Sequence, residues 1–553
     1  MADLHELVRS DSIVEGVSKM RVIVTEKIAE EGIEYLREQG FRVDFKLGIS
    51  HEELLAIIAD YDAIIVRSVT DINADLIERG TNLKVVGRAG NGTDNIDLVS
   101  CTHKGIVVVN TPESNTMAAA ELAVGLAFCV FRNIPLANCR SKENDFRRSM
   151  FIGQELNQKT VGIIGLGRIG SIVATRFKGC NMRVMAYDPY IADERFKKVG
   201  VEKCETLEEL LKQADLITLH TPKTTETYGM LGEKELAMCK KGVRIVNAAR
   251  GGLVNEKALY QAIRSGHVGG AGIDVLDPEP SYDKTAEEQD YANPLIDLDN
   301  VVITPHLGAS TQEANYNVGT AVACLVAGAL NGDMVAAVNM PPLKATDLVE
   351  LKPYLDLAEI LGKIYYQAER DTVQKLEIVY NGDLAEMETE IISLSVIKGF
   401  LEPIVKEKVN YVNAEFLLKN MGIKLVESKS SALDKYTNLI TVRFITKNRE
   451  LSVAGTIFAK EEIRIVDFFG YKLDFEPTPY VIAIQNTDKP GIIGKVGTVL
   501  GQHNINVAAM QWSRNRKGEK AVSFVSIDTE VGNDVLEQIR AIDGVLLVSI
   551  MVF

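Results

Sequence analysis

The sequence predicts an α/β protein of several domains, two built on parallel sheets and two of α+β type. Three observations carry that prediction. The chain has 553 residues, and domains usually hold about 100–200 residues each. Short apolar runs alternate with amphipathic segments from Met20 to about Pro305, the pattern of strand–helix–strand units around a parallel sheet. Near Val338 the texture changes to helices mixed with long alternating segments such as 438–447 and 449–460, which read as an α+β unit.

The elements follow in order. The run 20–26 (MRVIVTE) is an apolar strand, and 28–40 is an amphipathic helix ending on Gly40, a natural C-cap. A strand at 41–46, a helix at 51–60 and strands at 62–68, 83–90 and 105–112 come next. A long apolar helix starts near Asn115 and yields to a polar, basic stretch, 139–149. A second α/β series spans 159–305, and the helix expected over 310–330 is placed to complete the first series. From Tyr480 the order is strand, helix, strand, strand, helix, strand, which is a ferredoxin-like βαββαβ unit.

Net charge is −15, from 76 acids and 61 bases. That argues against nucleic-acid or anionic-membrane partners, which favour basic surfaces. Seven cysteines are scattered with no CxxC pair, which fits a reduced compartment and neither a disulfide framework nor a metal site. The N-terminal dozen residues are polar and acidic, unlike a signal peptide, and the most apolar stretch, 122–131, is too short to span a bilayer. A cytoplasmic enzyme is expected.

Residues 160–189 carry the strongest local signal. An apolar strand runs into Gly165-Leu166-Gly167-Arg168-Ile169-Gly170, a helix opens, and a second strand ends at Asp188. Gly165 permits the tight turn, Gly167 lets backbone amides approach a pyrophosphate, and Gly170 lets helix and strand pack closely. Asp188, 18 residues beyond Gly170, can accept from both ribose hydroxyls and would repel a 2′-phosphate, so NAD is expected rather than NADP.

Three later segments place a polar residue after an apolar strand: Arg250 in NAARGG, Asp274 with Glu279 in IDVLDPEP, and His306 in TPHLGAST. In open α/β sheets ligands bind beyond the carboxyl ends of strands. His306 is the candidate base, because imidazole titrates near neutrality. Glu279 would orient its ring and favour the charged form. Arg250 would grip a carboxylate and the developing carbonyl oxygen, and Asp274 would accept from the nicotinamide amide. Thr221, in LITLHTP, is preferred over its neighbour His220 as a cofactor contact.

Together GLGRIG, Asp188, LHTP, NAARGG, IDVLDPEP, TPHLGAST, VGRAG and SNTMAAAEL resemble the D-isomer-specific 2-hydroxyacid dehydrogenase family over nearly the whole chain after Met20. The resemblance implies a discontinuous flavodoxin-like substrate domain (20–118 and 306–340), an NAD-binding Rossmann domain (119–305), an intervening α+β domain (341–472) and an ACT regulatory domain (479–553). It adds Arg168, Ile169 and Ala248 to the cofactor contacts, and Arg67, Ser68, Asn91 and Asn115 to the substrate contacts. Arg148 matches a position that reaches a neighbouring subunit's site, although a solvated basic loop is its other reading. Asn486, Asp488 and Asn506 match effector contacts of serine-inhibited members, although the first two would equally make the turn before the helix.

The intervening and ACT domains are those of long-form members, so D-3-phosphoglycerate is the expected substrate and L-serine the expected effector. The first product would be 3-phosphohydroxypyruvate, on the route to serine. A homodimer or homotetramer is implied. A glyoxylate or hydroxypyruvate reductase, and an NAD-sensing regulatory scaffold, are the alternatives. About 20 residues before the first strand and an acidic loop, 281–293, depart from the family pattern.

Overall fold

The computed structural model describes residues 20–553 except 282–283, 286, 343–344, 433–435, 460, 515 and 517. The extension before Met20 thus lies outside the described residues, as does part of the acidic loop.

Four sheets organise the chain. The first has strands Arg21–Val24, Arg42–Phe45, Ala63–Val66, Val85–Arg88 and Val107–Asn110, all parallel and ordered 2-1-3-4-5 in sequence, which is the flavodoxin-like arrangement. The helix Gln312–Asn331 returns to this sheet and buries Val318, Val322 and Val326 against Val22, Val24 and Ile65.

Helix Thr116–Arg132 crosses to the second sheet, packing Ala123, Leu126 and Phe131 with Val161, Ile163 and Phe177. It ends at Asn133, in the left-handed region with φ 52°. A further helix, Ile134–Lys142, follows it, runs into the stretch 139–149 that the sequence marks only as polar and basic, and buries no residue. No single helix among the described residues is long and apolar enough to cross a membrane.

The second sheet is parallel throughout. From one edge it runs Val301–Ile303, Val268–Ile273, Val243–Asn247, Leu216–Leu219, Thr160–Ile164, Arg183–Tyr187 and Glu202–Lys203. Sequence order reverses between Thr160–Ile164 and Leu216–Leu219, a Rossmann switch point that opens a crevice at the strands' carboxyl ends.

The third sheet has six strands, antiparallel apart from the pair Val373–Gly382 and Lys424–Ser430. Helices Ala345–Ala368 and Glu390–Leu401 cover it, and Tyr365, Tyr380, Phe400 and Phe444 fill its core. The fourth is antiparallel, ordered Val507–Arg514, Lys520–Ile527, Tyr480–Thr487, Val545–Val552. With helices Ile492–Gln502 and Asn533–Arg540 it forms the expected ferredoxin-like unit.

Candidate active site

At the switch point Gly165 has φ 92°, and a Cβ there would lie 2.6 Å from the His220 carbonyl oxygen, so both backbone and space require glycine. A Cβ on Gly170 would lie 2.0 Å from the Gly165 oxygen, whereas nothing comes within 4 Å of the Gly167 position. Gly167 is also the N-cap of the helix Arg168–Gly179 and brings no capping side chain. The first helical N–H groups are therefore left for a ligand, in an open space that fits a pyrophosphate. Asp188 follows the second strand and accepts from the N–H groups of Leu166 (2.9 Å) and Tyr190 (3.1 Å), which sets its carboxylate beside the glycine turn. Thr221 packs its methyl against Gly165, Ile169 is half-buried, and Ala248 lies just beyond the strand Val243–Asn247. Arg168 reaches across to Glu113 of the first α/β unit at 3.0 Å. Burial pushes the His220 imidazole down to about 4. It is neutral and shares a 2.9 Å hydrogen bond with Thr218, a structural role that agrees with choosing Thr221 over it.

Three adjacent strands deliver the reacting groups. Register pairs Asn247 with Ile273, and Ile273 with Ile303, so Arg250, the Asp274–Glu279 segment and His306 leave the sheet side by side. His306 Nδ1 lies 3.2 Å from Glu279 Oε2. An ionised carboxylate only accepts, so Nδ1 carries the proton and the ring's free lone pair lies on Nε2. The His306 backbone has φ 55°, a costly conformation for a non-glycine residue. Buried Asp274 holds it: its carboxylate accepts from Thr304 Oγ1 (2.6 Å), Leu307 N–H (2.7 Å) and Gly308 N–H (3.0 Å). Asp274 thus fixes the His306 loop, which its sequence position did not reveal. Arg250 is half-buried and faces Asp94 at 3.6 Å. Buried Asn247 shapes its loop through Arg250 C=O (2.9 Å) and Ala249 N–H (3.1 Å).

Facing these groups from the first sheet is a cationic cluster. Glu26 accepts the N–H groups of Arg67 (2.8 Å), Val69 (3.2 Å) and Thr70 (3.0 Å), and Asn95 donates to the carbonyls of Arg67 (2.9 Å) and Thr70 (2.6 Å). These two residues shape the loop that presents Arg67 and Ser68. Arg88 was not anticipated. Burial pushes its guanidinium down to about 10, with Glu26 opposing and Arg67 and Arg250 adding repulsion, and its buried Nε has no protein partner. Arg67 and Arg250 both bear on Arg88 across a half-buried site, and three such guanidiniums suit an anion bearing more than one charge. Asn91 is exposed, its carbonyl held by Asn110 at 2.7 Å. Asn115 precedes the helix Thr116–Arg132 without capping it, so its amide is not spent on the helix end. Arg148 is exposed on the short turn Arg148–Phe151 and, among the described residues, makes no hydrogen bond or ion pair with this group.

In the fourth unit Asn486 is buried, with an unpartnered Oδ1. Asp488 accepts from Arg514 (2.7 Å) and the Gly518 N–H (3.0 Å), and Asn506 donates to Asp528 (2.7 Å).

A family model described as D-isomer specific 2-hydroxyacid dehydrogenase, NAD binding domain, matches residues 124–308. The D-3-phosphoglycerate dehydrogenase intervening domain matches 350–469 and the ACT domain 480–544. The chain is 41% identical to the D-3-phosphoglycerate dehydrogenase of Methanocaldococcus jannaschii, across 96% of this chain and 99% of that one. With the enzyme of the same name from Bacillus subtilis the identity is 38%, over 96% and 99%. Among solved structures, an Aquifex aeolicus D-lactate dehydrogenase complexed with NAD and lactic acid superposes with a TM-score of 0.51 at 28% identity, covering 57% of this chain and 96% of that one. A glyoxylate reductase from Paecilomyes thermophila does so at 0.52 and 26%, covering 58% and 99%. The cofactor is NAD. With its cofactor, intervening and ACT units all matched and near full-length identity to its relatives, the chain belongs to the D-3-phosphoglycerate dehydrogenases, within the D-isomer-specific 2-hydroxyacid dehydrogenase family.

Proposed function

We propose that this chain oxidises D-3-phosphoglycerate to 3-phosphohydroxypyruvate, the first step towards L-serine. The observation that carries the reading is the convergence of the Glu279–His306 pair and Arg250 beside the dinucleotide cleft, opposite Arg67 and Arg88. NAD, when bound, supplies the hydride acceptor for the substrate's C2 hydrogen. His306 takes the hydroxyl proton at Nε2, and Glu279 stabilises the imidazolium that results. Arg250 holds the carboxylate and the developing carbonyl oxygen. Arg67 and Arg88, with Ser68, Asn91 and Asn115 around them, receive the phosphate.

In this reading the domain limits are 20–118 with 306–340, 119–305, 341–472 and 479–553. The returning helix Gln312–Asn331 and the sheet memberships support them. Serine is the effector at Asn486, Asp488 and Asn506, supported by the unpartnered Asn486 oxygen. The protein is a cytoplasmic homo-oligomer. Phe146, Met150 and Ile152, exposed at 69%, 51% and 80% around Arg148, support a subunit contact that delivers Arg148 to a neighbour.

The test follows NADH formation from D-3-phosphoglycerate, and in parallel from D-glycerate, with and without serine. Fast turnover of the phosphorylated acid, slowed by serine, is expected. Equal rates on both acids would replace the substrate with an unphosphorylated hydroxy acid, and a serine-indifferent rate would remove the effector.

A further inference from the structure

We propose that Glu256, Tyr291 and Asn293 form a buttress that positions Glu279 against His306. Tyr291 and Asn293, near the end of the acidic 281–293 segment, pack beside the arm that carries Glu279. The proposal deepens the catalytic reading above and rests on it. Glu256 opens the helix Glu256–Arg264, and its Oε1 accepts the Asp277 N–H at 2.8 Å. Its Oε2 takes the Asn293 amide. Asn293 is 9% exposed, and the same amide shares the Tyr291 hydroxyl at 3.3 Å. Tyr291 in turn donates to the Pro278 carbonyl at 2.8 Å. The backbone is thereby pinned at Asp277 and again at Pro278, the residue before Glu279, by a helix and by the far end of the loop. Lys223 adds a further hold, on the Asp277 carboxylate, at 3.2 Å. Burial raises the Glu256 carboxyl, against the donors it accepts from. Such a half-buried carboxylate is costly unless every donor stays in place. None of the three residues acts on substrate, so each is a positioning residue.

The experiment measures kcat/KM for oxidation against pH on the full chain. Glu279→Gln should move the acid limb to lower pH, because the lost anion no longer favours the imidazolium. Glu256→Ala should lower kcat about 10- to 100-fold, move the limb the same way and leave KM for NAD unchanged. Glu256→Gln keeps an acceptor for the Asp277 N–H but sets a second donor against the Asn293 amide, whose oxygen is held by the Leu295 N–H, so it should recover only part of the rate. Tyr291→Phe deletes one hydroxyl and should give a smaller shift of the same sign, which decides the matter if Glu256→Ala does not fold. The double variant Glu256→Ala/Glu279→Gln should be no slower than Glu279→Gln alone. An unmoved limb in Glu279→Gln overturns the His306–Glu279 pair itself. A moved limb there, with wild-type limbs in Glu256→Ala and Tyr291→Phe or with additive losses in the double variant, overturns the buttress alone.

Discussion

Arg88 shows what a sequence conceals at the scale of a residue. It ends a strand as many solvated arginines do, and only packing reveals that its Nε is buried without a partner beside Arg67 and Arg250. Arg88→Leu keeps the apolar stem and removes the charge. It is expected to raise KM for D-3-phosphoglycerate about 10- to 100-fold, the worth of a charge-assisted hydrogen bond, and to change KM for D-glycerate far less. Parallel kinetics on the two acids check this. Arg250, Glu279 and His306 were legible because each follows an apolar strand within a recognisable segment, whereas Glu256 sits in an ordinary amphipathic helix and takes its meaning from a loop returning to it. His220 yields a pH prediction. Its folded value of about 4 lies below the ordinary imidazole value of 6.5, so the unfolded chain binds the extra proton first. The neutral ring's contribution is complete above about pH 6.5 and is lost as pH falls towards 4, on the order of 3 kcal/mol in all. His220→Gln should therefore flatten the decline in urea midpoint over that window. An unchanged slope would place the acid sensitivity elsewhere.

Among the elements, the strand–glycine turn–helix unit was legible almost to the residue, since Gly165 and Gly170 each answer a separate steric demand and Gly167 leaves the space before the helix open. Gly170→Ala would set a methyl 2.0 Å from the Gly165 oxygen and push the helix Arg168–Gly179 off the sheet. The strain should cost about 1–3 kcal/mol and weaken NAD binding, because the helix N-terminus leaves the phosphates. Calorimetry and a fluorescence titration with NADH measure the two losses, and a destabilised variant with wild-type NADH affinity would contradict the coupling. All six elements from Tyr480 onward were also legible, their apolar runs being set apart by turn residues. The helix Ile134–Lys142 was not. It buries nothing, so no apolar stripe marks it, and its Pro135 marks a helix start only once a helix is suspected.

In the whole molecule the last two sheets share one core, which their sequences could announce only in part. The strand Tyr480–Thr487 is apolar over its first five residues, as suits a strand covered on both faces, but nothing in that run names the second cover. The structure does. Ile482 and Ile484 pack under the two helices, while Val481, Ala483, Phe524 and Met551 join the core of the third sheet. Phe524 stacks on Phe475 at 4.5 Å and meets Phe468 edge-on at 4.8 Å. That core touches the substrate side where His103 stacks on Phe416 at 3.7 Å and Asn410 donates to the Gly105 carbonyl at 2.6 Å. The ACT unit is thus joined to the substrate-side unit by continuous packing through the intervening sheet. Phe524→Ala is expected to cost about 3–5 kcal/mol, and the loss should stay in the C-terminal half, because the catalytic sheets have separate cores. Trp512, the sequence's one tryptophan, lies in the strand beside Phe524, so its emission reports this half while NAD-dependent turnover reports the other. In urea the tryptophan transition should move to lower concentration with the activity midpoint unmoved, and serine should inhibit less. If both midpoints fall together, the chain unfolds as one unit and the two halves are not energetically separable.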